Sequence, residues 1–341
     1  MERTTIPQTM KASVLLEKGK IELQEREVPT PVGNEVLVKI AACGVCGSDV
    51  HYYETGRIGD FIVEEPMILG HEAAGTIVAV GEDVDPARVG QRVSIEPQKC
   101  CRVCEYCKAG EYNLCPDIEF YATPPIDGAF CEYQIIEDDF AYELPEGVSF
   151  EAGALIEPLS VGIAAVQKAH IGVGSTVHVA GAGPIGLITA QVAKAFGAAK
   201  VIVSDISAPR LKIATELGAD EVIEVGKDEP LGEKVNAFID CTGAPKAMYD
   251  GILGVAPGGY AILVGMGPDD IELPVGYITS REVSVTGIFR YNNTWPIGIQ
   301  LLEDGVVNLD VLVSHRFGLD EVEDSLDLKS RQDSMKHVVC P

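Results

Sequence analysis

Four cysteines are spaced so that one metal ion can bind all of them, in the run Cys101-x2-Cys104-x2-Cys107-x7-Cys115. Two-residue loops between thiols would strain a disulfide, but they suit a tetrahedral zinc site. The alternative is a group of reduced, buried thiols. Cys100 adds a fifth thiol beside the run, and the spacing favours Cys101 as the ligand. We predict a structural zinc ion bound by Cys101, Cys104, Cys107 and Cys115.

A second group of metal-ligand residue types lies upstream. Cys46 opens the segment Cys46-Gly47-Ser48-Asp49-Val50-His51, and His71 and Glu72 follow Gly70. A thiolate, an imidazole and a carboxylate make three ligands and leave a fourth zinc position for water or substrate. The alternative is a turn with a buried histidine. We predict a catalytic zinc ion at Cys46, His71 and Glu72, and so two zinc ions per chain.

A glycine-rich turn, Gly181-Ala182-Gly183-Pro184-Ile185-Gly186, stands between a strand pattern and a helix pattern. Backbone N–H groups at such a turn can hold a pyrophosphate. Asp205 ends the next strand, where a carboxylate accepts hydrogen bonds from the adenosine ribose and repels a 2′-phosphate. Arg210 complicates that preference, because a guanidinium can stack on adenine or bind a phosphate. We predict that NAD, rather than NADP, binds Gly181, Gly183, Pro184, Ile185, Gly186, Asp205 and Arg210.

Two kinds of scaffold must position these residues, since 341 residues exceed the usual size of one hydrophobic core. Before residue 158, short β-like runs such as 35–40 and 74–80 are separated by Gly and Pro turns. The later segments alternate between strand-like and helix-like patterns, at 176–180, 185–196, 200–204, 210–217, 237–240 and 260–264. We predict an α/β protein. A β-rich domain takes residues 1–158 and 290–341, and a Rossmann-type, doubly wound parallel sheet takes residues 159–289.

The chain is strongly acidic, with 52 Asp and Glu against 26 Lys and Arg and a net charge of −26. This charge argues against nucleic-acid binding. The acids are scattered, which indicates a solvated surface without a specific partner, and adaptation to a salt-rich host is our preferred cause. No apolar run approaches the ~20 residues of a membrane span, and the N-terminus is not apolar. The ten cysteines fit zinc chemistry in a reducing compartment, so we expect a cytoplasmic protein.

Several longer motifs are similar to those of zinc-dependent medium-chain alcohol dehydrogenases, and especially to the polyol branch of sorbitol and xylitol dehydrogenases. The similarity runs over nearly the whole chain. Cys46 to Tyr52, Gly70-His71-Glu72 and the glycine turn are typical of the superfamily. Three further runs indicate the polyol branch, namely Ala122-Thr123-Pro124-Pro125, Leu155-Ile156-Glu157-Pro158-Leu159-Ser160 and Phe289-Arg290-Tyr291-Asn292-Asn293-Thr294-Trp295-Pro296.

The resemblance implies a GroES-like catalytic domain and reversible hydride transfer between NAD and a polyol secondary alcohol, which becomes a ketose. It implies that Glu157 touches the catalytic zinc directly or through its water, and charge counting favours the water, because a third anion would weaken the Lewis acidity of the metal. Ser48 and His51 are the expected proton relay. A related zinc dehydrogenase that acts on an aldose, L-threonine or a simple alcohol is the alternative, and a non-enzymatic zinc-binding scaffold is disfavoured by the intact site.

The same resemblance implies which residues line the substrate and nicotinamide pockets. Residues matching the polyol pocket are Tyr52, Phe61, Phe120, Thr123, Arg290 and Tyr291. Residues expected to flank the nicotinamide are Val264, Gly265, Met266, Ile288, Phe289 and Arg290. The resemblance also implies a homotetramer or homodimer, with a small polyol or ketose as the only other partner.

Overall fold

The computed structural model describes residues 6–228, 231–328 and 334–341. The chain divides into two compact units, the first made of Met1–Glu157 and Leu309–Pro341 and the second of Pro158–Asn308. In the described residues, none of the helices has the length and apolar character needed to span a bilayer.

The strands follow one another along the chain as β1 (Thr9–Glu17), β2 (Lys20–Glu27), β3 (Glu35–Gly44), β4 (Arg57–Ile58), β5 (Phe61–Ile62), β6 (Met67–Ile68), β7 (Glu72–Val80), β8 (Arg92–Ile95), β9 (Gln98–Lys99), β10 (Glu119–Phe120), β11 (Tyr133–Glu137), β12 (Ala141–Glu143), β13 (Thr176–Ala180), β14 (Lys200–Asp205), β15 (Glu221–Glu224), β16 (Val235–Asp240), β17 (Val255–Leu263), β18 (Ser284–Gly287), β19 (Val313–Phe317) and β20 (Lys336–Val339). The α-helices are α1 (Gly47–Thr55), α2 (Glu105–Ala109), α3 (Phe150–Ala154), α4 (Ile156–Lys168), α5 (Pro184–Ala195), α6 (Ala208–Glu216), α7 (Pro245–Gly254), α8 (Val275–Arg281), α9 (Trp295–Glu303) and α10 (Val322–Ser325).

The first unit is built on a seven-stranded sheet in the order β12-β8-β7-β3-β20-β19, with β11 also paired to β3. A second sheet has the order β2-β1-β6. Strand β3 lies in the middle of the larger sheet, and its apolar residues Val36, Leu37, Val38 and Ile40 are almost fully buried. A strand covered on both faces has this near-continuous apolar sequence. The predicted β-rich unit is therefore present.

The second unit contains a six-stranded parallel sheet in the order β15-β14-β13-β16-β17-β18. Numbered from the start of this unit, the order is 3-2-1-4-5-6, which is the arrangement of dinucleotide-binding sheets. The predicted doubly wound sheet is confirmed. The strand order of this sheet reverses between β13 and β16. Ligands of such sheets bind at this point, outside the carboxyl ends of the strands.

The boundary of the second unit differs from the sequence prediction at its C-terminal end. We placed the return to the first unit at residue 290, whereas residues up to Asn308 belong to the second unit. Asn308 N donates to Gln191 Oε1 at 2.9 Å, and Trp295 at the start of α9 is fully buried. The alternation of strands and helices ends at β18 because, among the residues described, α9 of this unit is not followed by another strand of this sheet. The end of the strand-helix alternation therefore does not mark the C-terminal boundary of the second unit.

Candidate functional site

The four cysteines predicted to bind structural zinc lie together, with their Sγ atoms all within 4.8 Å of one another. Cys101 and Cys107 Sγ are 4.0 Å apart, close to the ~3.8 Å edge of a tetrahedron of thiolates about 2.3 Å from zinc. The group excludes the neighbouring Cys100, as the spacing indicated. The donor set therefore fits a closed zinc site.

Backbone N–H groups of the segment that carries these four cysteines point at the sulfur atoms. Cys104 N lies 3.4 Å from Cys101 Sγ, and Cys107 N lies 3.4 Å from Cys104 Sγ. N–H groups of Val103 and Cys104 lower the pKa of Cys101 to about 7, while burial raises the pKa of Cys107. Metal binding requires thiolates, and the backbone N–H groups of this loop favour the thiolate of Cys101. A metal ion would compensate the negative charge of the other thiolates.

The second group also comes together, since ligand atoms of Cys46, His71 and Glu72 lie within 4.8 Å of one another. Cys46 precedes α1, and its backbone N–H donates to Asp49 Oδ2 at 2.9 Å. The other oxygen of this fully buried carboxylate accepts from Gly70 N at 2.9 Å. Asp49 thereby ties the start of α1 to the turn that carries His71.

Gly70 is required at that turn. Its φ is +86°, and a Cβ there would lie 2.6 Å from the Phe130 ring. His71 follows, buried, with its ring centroid 5.6 Å from that of Phe120 and its Nδ1 3.8 Å from Asp49 Oδ1. Burial lowers the pKa of His71, but the Cys46 thiolate and then Asp49 outweigh it and raise that pKa to about 10. A divalent cation at this position would compensate the same negative charge.

Glu72 begins β7 and is fully buried. Its Oε1 accepts a hydrogen bond from Lys336 Nζ at 2.5 Å, while Oε2 has no hydrogen-bond partner within the described ranges. An unpartnered buried carboxylate oxygen beside a thiol and an imidazole is the feature expected of a metal ligand. Cys46, His71 and Glu72 therefore fit an open zinc site.

The glycine turn links β13 to α5, as predicted. A Cβ at Gly186 would lie 1.8 Å from Gly181 O, so the turn is too tight for any other residue there. Gly183 immediately precedes α5, and a Cβ built on it would meet no atom within 4 Å. Pro184 occupies the first turn of the helix, where its missing N–H costs nothing. The N-terminus of α5 is thus open to an anionic group.

Asp205 closes β14 beside this turn. Its Oδ2 accepts from Ala182 N at 2.7 Å and its Oδ1 from Ser207 N at 2.8 Å, so the carboxylate is held against the glycine turn. Arg210 lies half-buried on α6. The other residues expected at the cofactor also follow strand ends, with Val264, Gly265 and Met266 after β17 and Ile288, Phe289 and Arg290 after β18.

Comparison with known proteins identifies the family. A family model described as an alcohol dehydrogenase GroES-like domain matches residues 33–146, and one described as a zinc-binding dehydrogenase matches residues 184–304. A sorbitol dehydrogenase of Mus musculus is 47% identical over 331 residues, which are 94% of this chain and 93% of that protein. The chain belongs to the zinc-dependent medium-chain alcohol dehydrogenases. It is therefore an oxidoreductase that acts on CH–OH groups.

Two further similarities cover the chain almost completely. A sorbitol dehydrogenase of Bacillus subtilis (strain 168) is 42% identical over 348 residues, covering 99% of each chain. The solved structure of an alcohol dehydrogenase from Escherichia coli CFT073, complexed with cofactor NADH, has a TM-score of 0.92 and 31% identity, and covers 98% of this chain and 100% of that one. The resemblance and the fold class expected from the sequence are confirmed.

Other predicted residues of this dehydrogenase occupy varied environments in the first unit. Glu157 is buried in α4 and is not one of the three residues whose ligand atoms cluster within 4.8 Å, although its charge helps to raise the pKa of His71. Ser48 is half-buried and His51 is exposed, one turn apart on α1. Tyr52 and Phe120 are buried, Thr123 is half-buried, and Phe61 is 42% exposed.

In the second unit, Arg290 and Tyr291 differ sharply in exposure. Arg290 has a φ of +55°, which is unusual for a residue with a side chain, and its guanidinium lies 4.8 Å from the centroid of the Phe289 ring. Tyr291 is only 1% exposed, and its ring packs 5.1 Å from that of Trp295. Its surroundings are those of a core residue.

Three residues with clear roles in the architecture were missed by sequence reasoning. Asp49 holds both ligand loops, Lys336 pairs with Glu72, and Asp240 is a fully buried carboxylate at the end of β16. Asp240 accepts from Thr242 Oγ1 at 2.5 Å and Gly243 N at 3.0 Å, and its carbonyl accepts from Val264 N at 2.9 Å. Asp49 stood inside a quoted motif, but no local pattern distinguished Lys336 or Asp240.

Proposed function

We propose that the chain catalyses the reversible, zinc- and NAD-dependent oxidation of a polyol secondary alcohol, of the sorbitol or xylitol type, to a ketose. The observation that carries this proposal is the cluster of half-buried Cys46 with buried His71 and Glu72, with Glu72 Oε2 left without a partner among the described residues. The polyol assignment is supported by relatives named sorbitol dehydrogenase at 42% and 47% identity.

Cys46, His71 and Glu72 would hold the catalytic zinc, and Cys101, Cys104, Cys107 and Cys115 a structural one. Zinc in a site with three protein ligands acts as a Lewis acid that makes a hydroxyl easier to deprotonate. Glu157 would contribute through hydrogen bonding rather than as a fourth protein ligand, since it lies outside the cluster of ligand atoms. That position preserves the Lewis acidity of the metal.

The proton of the substrate hydroxyl would leave through α1. Ser48 lies two residues after Cys46, and its half-buried hydroxyl is suited to accept the proton at Oγ. His51 lies on the same side of α1 one turn later and is exposed, so its imidazole can pass the proton on to solvent. The half-buried position of Ser48 and the exposed position of His51 support this order.

The second unit would bind NAD, which accepts the hydride. The open N-terminus of α5 at Gly183 would receive the pyrophosphate. Asp205, held by Ala182 N and Ser207 N, would accept hydrogen bonds from the adenosine ribose and disfavour a 2′-phosphate. Gly181, Pro184, Ile185, Gly186 and Arg210 would complete this side, with Val264, Gly265, Met266, Ile288, Phe289 and Arg290 on the nicotinamide side.

Among residues of the first unit, Thr123 would recognise substrate hydroxyls, and Tyr52, Phe61 and Phe120 would contact the substrate. Among residues of the second unit, Arg290 would recognise substrate hydroxyls, and Tyr291 is proposed from the resemblance alone. Replacing Arg290 by alanine should reduce kcat/KM for sorbitol and xylitol by roughly ten- to hundredfold, because a buried hydroxyl loses its partner at a cost of ~1 to 3 kcal/mol. Ethanol and propan-2-ol should be oxidised at nearly unchanged rates. Arg281→Ala is the matched control, since that arginine lies over the Tyr277 ring, 4.3 Å from its centroid.

A substrate panel with NAD tests the proposal as a whole. The wild-type protein should oxidise sorbitol or xylitol with kcat/KM far above that for ethanol, propan-2-ol, an aldose or L-threonine. A preference for any of the latter would move the chain to another branch of the family. Equal losses on polyols and simple alcohols in Arg290→Ala would instead make Arg290 a structural or nicotinamide-side residue.

The cellular environment and the oligomeric state of the enzyme are also proposed. The acidic surface, with a net charge of −26, supports a salt-rich cytoplasm as the working environment. A homotetramer or homodimer is supported by β18, which lies at the edge of the six-stranded sheet, because an edge strand can pair with another copy. Sedimentation at low and high KCl would measure the oligomeric state.

A further inference from the structure

Lys336 is a buried lysine next to the candidate catalytic site. It begins β20, its side chain is 6% exposed, and its Nζ lies 2.5 Å from Glu72 Oε1. Throughout residues 6–228, 231–328 and 334–341, no other lysine or arginine is buried. Lysines are almost never buried without a partner, because the loss of hydration costs several kcal/mol. The position of this ammonium group therefore calls for an explanation beyond packing.

A glycine on the central strand allows the contact. Strand β3 lies between β7 and β20, and its residue Gly44 pairs with Glu72 on one side and Val338 on the other. A Cβ at Gly44 would lie 2.0 Å from Glu72 Oε2. Because that space is free of a side chain, the Glu72 carboxylate can lie across β3 and reach the lysine.

The two carboxylate oxygens of Glu72 have different surroundings. Oε1 is bound to the ammonium group, and Oε2 has no hydrogen-bond partner among the residues described. The ammonium group of Lys336 and the carboxylate of Glu72 form a buried ion pair, with side chains 6% and 1% exposed. Lys336 is thus a fixed positive charge that competes with a metal ion for the charge of Glu72.

We propose that Lys336 is a positioning residue that restricts Glu72 to a single weak metal bond through Oε2 and thereby keeps the zinc more loosely held and more electrophilic. The inference rests on the zinc site proposed above. A carboxylate whose charge is shared with an ammonium group donates less to the metal, so more positive charge remains to act on the substrate. A lysine with a purely structural role would stabilise the protein with and without zinc to the same extent.

Zinc affinity is the measurement that separates these two roles. Zinc-depleted protein is titrated against a chromophoric chelator, and the Cys46→Ser variant, which retains only the four-cysteine site, identifies the phase that belongs to the catalytic site. Lys336→Met should bind catalytic zinc about tenfold more tightly and lose roughly tenfold in kcat. Lys336→Arg, which keeps the charge, should stay within about threefold of the wild type in zinc affinity. Weaker or unchanged zinc binding in Lys336→Met would overturn the proposal.

A double-mutant cycle shows whether Lys336 acts through Glu72. In a Glu72→Gln background, Lys336→Met should change zinc affinity by less than about threefold, and a change as large as in the wild type would contradict the proposed route. If Lys336→Met alone does not fold, the double variant should, because it buries neither charge unpaired. Failure of the double variant as well would also overturn the proposal. A wild-type chain that binds no more zinc than the Cys46→Ser variant would refute the catalytic zinc site itself.

Discussion

Replacing Glu96 by glutamine should stabilise the protein at neutral and alkaline pH much more than at acidic pH. Glu96 is fully buried after β8. Its Oε1 accepts from Tyr112 Oη at 2.9 Å and Gln98 Nε2 at 2.5 Å, and Oε2 lacks a hydrogen-bond partner within the described part of the chain. Burial raises the pKa of Glu96 from 4.5 to about 7, against the lowering effect of the Tyr112 hydroxyl.

The sign and size follow from this raised pKa. Below pH 4.5 the carboxyl is protonated in both the folded and unfolded chains, so it contributes no penalty. As the pH rises from 4.5 to 7, the unfolded chain releases this proton while the folded chain retains it, and the free energy of unfolding falls. Above pH 7 the loss reaches about 3 kcal/mol, since one pKa unit corresponds to about 1.4 kcal/mol. Glutamine keeps the acceptor oxygen and removes the ionisation.

Thermal unfolding of zinc-loaded protein between pH 5.5 and 8.5, at constant ionic strength, measures the effect. The stability advantage of Glu96→Gln should grow by about 2 kcal/mol across this range, or roughly 3 to 5 °C in the unfolding temperature. Glu119→Gln is the matched control, because Glu119 is an exposed carboxylate on nearby β10. An advantage that does not change with pH, or one shared by Glu119→Gln, would refute the reasoning.

Three further predictions follow from the zinc sites, the cofactor site and the surface. Cys107→Ser should lower the unfolding temperature with kcat largely kept, whereas Cys46→Ser should abolish turnover with the fold intact, each variant retaining one zinc of the wild-type two by elemental analysis. Equal loss of folding in both would contradict this division. Asp205→Asn should lower the ratio of kcat/KM with NAD to that with NADP by about tenfold, and an unchanged ratio would assign the preference to another residue. Unfolding temperature and activity should rise from dilute to molar KCl, because salt screens repulsion among the 52 acids; a flat response would exclude adaptation to brine.

Features that depend on neighbouring residues could be predicted from the sequence. The four thiols between Cys101 and Cys115 lie together because loops of only two, two and seven residues separate them, which leaves few other arrangements. The turn from Gly181 to Gly186 is equally local, since Gly181 has a φ of +96° and a Cβ at Gly186 would lie 1.8 Å from Gly181 O. The alternation of strands and helices from β13 to β17 was also readable, because hydrophobic periodicity reflects burial within each element.

Features that depend on distant residues were decided only by the tertiary structure. Lys336 meets Glu72 across 264 positions of sequence, through a gap at Gly44 that no local pattern reveals. The return of the chain to the first unit at Leu309 rather than at 290 depends on contacts such as that of Asn308 with Gln191. Local sequence determines the conformation of a segment, whereas burial and charge compensation depend on which segments the fold brings together. The residue types of the proposed zinc ligands could therefore be predicted from the sequence, whereas the positive charge of Lys336 that balances Glu72 could not.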